Sequence, residues 1–94
     1  MLEIEVLGNG EIRLTGQFNA SQVDRVRQAL KDVKASCALD LSGMSYISSA
    51  GLGLLLETQQ RLSQDGHALH LSGLNPHVRL VFEIAGFDQI FDIT

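Results

Sequence analysis

Leu2, Ile4 and Val6 alternate with Glu3 and Glu5, and beyond Gly8-Asn9-Gly10 the alternation resumes with Ile12 and Leu14 against Glu11, Arg13 and Thr15. A period of two marks a half-buried strand, so this region predicts two strands joined by a tight hairpin. Asn9-Gly10 supplies the positive φ that a primed two-residue turn demands. From Ser21 the period changes. Ser21 with Asp24 resembles a capping box, and Val23, Val26, Leu30 and Val33 recur at helical spacing, which predicts a first helix over 21–34. Cys37, Leu39 and Leu41 against Ala38 and Asp40 predict a third strand. A second helix is expected over 49–64, with Leu52, Leu55, Leu56 and Leu62 inward and Asp65-Gly66 closing it. Leu69 and Leu71 read as a fourth strand. Asn75-Pro76 reads as an N-cap and first residue of a third helix whose inward stripe is Val78, Val81, Phe82 and Ala85; Gly86 ends it, and Phe91 with Ile93 mark a last strand.

The predicted order is β-β-α-β-α-β-α-β, an α/β chain. Each strand keeps one polar or small side, whereas a sheet covered on both faces would show continuous apolar strands. Successive right-handed β-α-β crossovers in a sheet that grows one way put every helix on one face. The expected architecture is a mixed sheet that begins with an antiparallel hairpin and carries its three helices mainly on one face. The 94 residues suit one domain over positions 1–94, with no repeat or linker.

Seven basic and eleven acidic residues give a net charge of -4, and the basic ones are scattered. Phosphate-backbone binding wants a dense cationic face, so nucleic acid is not expected as a partner. Cys37 is the sole cysteine, which allows no internal disulfide and suits a reducing compartment. No secretory signal is read in the sequence, and the longest apolar run, over 50–56, is far shorter than the about 20 residues a membrane helix needs. The expected setting is cytoplasmic, without direct membrane insertion.

The candidate chemistry lies in Asp40-Leu41-Ser42-Gly43-Met44-Ser45-Tyr46-Ile47-Ser48-Ser49-Ala50-Gly51-Leu52-Gly53, where hydroxyl-rich small residues join a buried strand to a buried helix. Ser42 and Ser45 shape turns, and Ser48 is placed to cap the helix. Ser49 is expected just inside the helix N-terminus, with Ala50 and Gly51 leaving room around it. A phosphate there meets free backbone N–H groups and the positive end of the helix dipole, so it adds about -1.5 to -2 charges without melting the helix. Such a switch acts at the surface, by repelling or obstructing a partner.

These residues resemble the STAS family, and within it the stand-alone bacterial anti-sigma-factor antagonists. Asp40-Leu41-Ser42 followed by Tyr46-Ile47-Ser48-Ser49-Ala50-Gly51-Leu52-Gly53 is similar to the signature around the family's phosphorylated serine. Leu14-Thr15-Gly16-Gln17-Phe18-Asn19 is similar to the motif that leads into its first helix, and Pro76 with Ala85-Gly86-Phe87 extends the likeness. The resemblance implies phosphorylation at Ser49 and a partner surface of Asn19, Ser48, Ser49, Ala50, Gly51 and Leu52. It implies two partners: an anti-sigma factor of the histidine-kinase-like ATPase fold, which is also the serine kinase, and a serine phosphatase of the PP2C type. The module itself would catalyse nothing and need no cofactor.

Three features depart from that pattern. Ser48 and Asn19 stand where many members carry acidic residues, so the site is less acidic before phosphorylation and Ser48 is a second conceivable acceptor. Related domains usually continue into a C-terminal helix, whereas Thr94 follows the last strand directly; Leu80 and Ile84 are expected to lie partly uncovered. Other readings are weaker. No Gly-x-Ser-x-Gly elbow is present, His67 and His70 face opposite sides of a strand, and Gly51-x-Gly53 lacks the lysine of nucleotide loops, so neither a triad, a metal site nor a nucleotide site is expected. The alternative within binding modules is a non-catalytic subunit of a phospholipid transport ATPase or a stress-sensing assembly, using the Ser49 loop for docking.

Overall fold

In the computed structural model, which describes residues 1–94, the alternating segments form strands β1 (Leu2–Val6), β2 (Glu11–Phe18), β3 (Cys37–Asp40), β4 (Met44–Ile47), β5 (Leu69–Ser72) and β6 (Asp92–Ile93). The helical periods form α1 (Val23–Leu30), α2 (Ser49–Ser63) and α3 (Pro76–Ile84). The sheet runs β1-β2-β3-β5-β6, with β1 antiparallel and the other neighbours parallel, and β4 pairs with the upper half of β2. It is the mixed α/β sheet the alternation predicts, plus one strand the alternation does not.

Burial follows the pleat. Ile12, Leu14, Phe18, Cys37, Leu39, Leu69 and Leu71 enter one core together with Val26, Leu30, Leu55, Leu62, Val78 and Phe82 from the helices. The opposite face stays polar: across β1, β2 and β3 the Arg13 guanidinium lies 2.9 Å from Asp40 and 3.8 Å from Glu5. Farther along that face, His70 Nδ1 sits 2.6 Å from Asp92 across β5 and β6. α2 buries more than its leucines. Gln59 accepts the Leu69 N–H at 2.8 Å, which fixes the start of β5 from the helix.

Several local expectations are corrected. The strand β4 lies inside the segment read as a connection. It buries Met44 and Ile47 but exposes Ser45 and Tyr46, because a bulge at Gly16/Gln17 shifts its register on β2 and spoils the period of two. The first helix is shorter than 21–34: a 3-10 turn over Ala20–Gln22 precedes it, and the reciprocal cap uses Asn19 and Gln22 rather than Ser21 and Asp24, with Gln22 Oε1 accepting the Asn19 N–H at 2.7 Å. Its end comes at Leu30, where Arg61 donates to the carbonyls of Leu30 and Val33 at 2.9 and 2.6 Å and holds the chain as it leaves the helix.

The hairpin turn also differs: only Gly10 takes a positive φ, of 81°, while the Leu7 N–H bonds to the Glu11 carbonyl at 2.8 Å, so the loop is a three-residue one with a left-handed last position. Val6 is exposed, since β1 outruns the helices that cover its start, and Ala85 is exposed as the C-cap of α3. Leu80 and Ile84 are uncovered as expected, at 50% and 78% exposure. No helix is long and apolar enough to cross a membrane.

Candidate functional site

Parallel strands align their carboxyl ends, so the chain segments after β2, β3, β4 and β5 meet at one end of the sheet. Phe18 and Ile47 are register partners, and the Ser48 N–H donates to the Phe18 carbonyl at 2.9 Å. Asn19 and Ser48 thus follow paired residues on adjacent strands. Ser48 is extended (φ -83°, ψ 166°) and its Oγ accepts the Gly51 N–H at 3.1 Å, the N-cap geometry predicted for it. Its hydroxyl is therefore engaged and half-buried.

Ser49 occupies the first helical position of α2 and is exposed, as is Ala50. Their N–H groups make no hydrogen bond, whereas those of Gly51 and Leu52 are taken up by the Ser48 side chain and carbonyl. Beneath them Gly51 and Leu52 are buried. A Cβ at Gly51 would stand 3.1 Å from both the Phe18 ring and Ile47 Cγ1, so a side chain here would make the ring and Ile47 shift by a few tenths of an ångström. Of the six residues expected to touch a partner, Ser49 and Ala50 are open, Asn19 and Ser48 half-buried, and Gly51 and Leu52 form the support below.

Neighbouring loops brace the same end. Asp40 accepts the Ser42 N–H at 3.0 Å, and hydrogen bonds from the Ser42 hydroxyl and backbone, followed by the Arg13 guanidinium, hold its carboxyl below the ordinary 3.8. Gly73, with φ +75°, passes so close that a Cβ would lie 2.8 Å from that of Ser42. Asn75 caps α3 through the Val78 N–H at 2.8 Å and donates to the Met44 carbonyl at 3.0 Å, which ties α3 to β4. Sequence reasoning read Asn75 as a cap alone; its second bond depends on the unrecognised strand.

Elsewhere the surface offers two small clefts. One, of about 240 Å³, lies between α1 and α2 among Arg27, Lys31, Glu57 and Arg61; the other, of about 220 Å³, lies beside Val6, Ile12, Val33 and Cys37. Neither includes a residue of the Ser49 loop. Burial pushes the Cys37 thiol up, with Glu11 adding to it, so the thiolate is disfavoured. No group of three or more His, Cys, Asp or Glu is gathered as a metal site.

A family model described as Mlab, STAS domain matches residues 5–93. A protein described as an anti-sigma factor antagonist, BtrV of Bordetella bronchiseptica, is 43% identical over 74 residues, covering 79% of this chain but 58% of BtrV. This chain thus matches little more than half the length of that relative. The anti-sigma-B factor antagonist of Staphylococcus aureus is 25% identical over 87 residues, 88% of this chain and 81% of that one. Among solved structures, the anti-sigma factor antagonist SpoIIAA in its unphosphorylated form has a TM-score of 0.80 at 18% identity, over 100% of this chain and 88% of SpoIIAA. At that identity the likeness speaks for the fold.

Proposed function

The chain belongs to the STAS domain family, and from that premise we propose that residues 1–94 act as an anti-sigma-factor antagonist controlled at Ser49. In the unphosphorylated form the surface around Ser49 and Ala50 docks on an anti-sigma factor of the histidine-kinase-like ATPase fold and so releases a sigma factor. The same partner transfers a phosphoryl group from ATP to the Ser49 hydroxyl, and a PP2C-type phosphatase removes it. Antagonists of this family are generally non-catalytic, and this chain is read as a cytoplasmic docking module that performs no chemistry itself.

One observation carries the reading: Ser49 is exposed at the first turn of α2 while the residues beneath it are packed. The Ser49 and Ala50 N–H groups can donate to an anion that the helix dipole also favours, so the modified form keeps its fold. Ser48, by contrast, already spends its Oγ on the Gly51 N–H. Incubating the chain with the anti-sigma factor of its own bacterium and MgATP should add one phosphate to the intact mass, and Ser49→Ala should abolish the addition. Undiminished phosphorylation of the Ala variant would remove Ser49 from this role. A second reading, docking without modification, is favoured by the uncharged residues around Ser49, which give a kinase no ionic feature to read; a chain that binds but never gains mass would support it.

A further inference from the structure

Seven basic and eleven acidic side chains are distributed unevenly over this fold. Segments 14–23, 41–56 and 66–78 contain none of them. In the chain these are three separate stretches, but the parallel sheet brings them together: they supply the carboxyl ends of β2, β4 and β5, the turn after β3, the first half of α2 and the entry into α3. The connections at the other end of the sheet carry Lys31, Asp32, Lys34 and Asp65.

Charged side chains border the bare end, and some of them are paired, while Arg25 donates to the Leu2 carbonyl at 3.0 Å. Asp40 pairs with Arg13 at 2.9 Å, Asp24 with Arg27 at 3.2 Å, and Glu57 with the same Arg27 at 3.2 Å. Arg79 follows on α3, past its first turn. Exposed on the end itself are Ala20, Ser42, Ser45, Tyr46, Ser49, Ala50, Pro76 and His77.

We infer that the docking end of this module carries no acidic, lysine or arginine side chain of its own: it recognises an uncharged face of the anti-sigma factor by shape, hydrogen bonds and apolar contact, and the Ser49 phosphate is the charge that enters the centre of that face. The inference rests on the antagonist reading above. Its physical basis is that surface charges attract or repel over about 10 Å at 0.1 M salt, and a steered association weakens as salt rises. An interface without charge has nothing to screen. A phosphate of about -1.5 to -2 charges then arrives on a face with no charged side chain to pair it, and docking must strip its water with no cation to replace it. The switch gains contrast because the unmodified state has no charge of its own.

The test is the affinity of the unmodified chain for the purified anti-sigma factor of its own bacterium, measured at one fixed pH. Salt is varied from about 0.05 to about 0.5 M, which shortens the screening length several-fold. The dissociation constant should change by less than about threefold, where a charge-steered interface changes by tenfold or more. Paired substitutions Ala20→Glu with Ala20→Lys, and Ala50→Glu with Ala50→Lys, sharpen the outcome. Both signs should weaken binding, by about tenfold, since each buries an unpaired charge. Binding that collapses with salt, or a pair in which one sign tightens binding, overturns this inference alone; no binding at any salt concentration sinks the antagonist reading and this inference with it.

Discussion

Ser49→Asp should weaken binding to the anti-sigma factor by about 10- to 100-fold, the cost of burying one carboxylate with no cationic partner at ~1.4 to ~3 kcal/mol. Stability should hardly move. Ser49 is exposed at the first position of α2, and an acidic residue there faces the two free N–H groups of Ser49 and Ala50 and the positive end of the helix dipole, a favourable placement worth about 0.3–1 kcal/mol. Calorimetric titration and thermal denaturation of the same preparation separate the two effects. Lost binding together with a large fall in Tm would mean that the substitution acts by unfolding, which contradicts a surface switch.

Phe18→Ala should destabilise the chain by about 3–5 kcal/mol, a large share of the ~5–15 kcal/mol that holds a domain of this kind. Phe18 is fully buried, its ring packs under Gly51, and its carbonyl accepts the Ser48 N–H. The ring therefore sets the height at which α2 begins. Urea denaturation measures the loss. A change below about 1 kcal/mol would show that the helix start does not rest on this side chain.

The architecture was legible where one rule acted alone. Period two gave β1, β2, β3 and β5, and Ser48 and Asn75 announced the starts of α2 and α3, because a side-chain oxygen followed by an apolar helical period has few other uses. What stayed hidden needed a partner distant in sequence. β4 exists because the upper half of β2 can receive it, with Ser45 as the extra residue where the register shifts, and its buried residues, Met44 and Ile47, stand three apart. The early end of α1 is set by Arg61, 31 residues beyond Leu30. The site was similarly divided: the exposure of Ser49 follows from the cap and the burial of Leu52 from the helical period, but the close approach at Gly51 follows from Phe18 and Ile47 pressing from the sheet, which no local pattern announces.

The absence of acidic, lysine and arginine side chains from this end of the sheet is a property of the fold rather than of any motif. Three uncharged stretches separated by charged ones look unremarkable in the chain, and become a surface only when parallel strands bring their carboxyl ends together. It also reframes Ser48 and Asn19. Acidic residues there would give the unmodified surface a charge, and their absence leaves the whole contrast to one hydroxyl.

The most direct measurement uses the phosphoserine form itself: the chain phosphorylated at Ser49, checked by tandem mass spectrometry, is titrated against the anti-sigma factor while far-UV circular dichroism reports its fold. An unchanged spectrum with binding reduced below detection is the predicted result. A phosphorylated chain that binds as well as the unmodified one, or that has lost its helical signal, would contradict a switch built on the exposed start of α2.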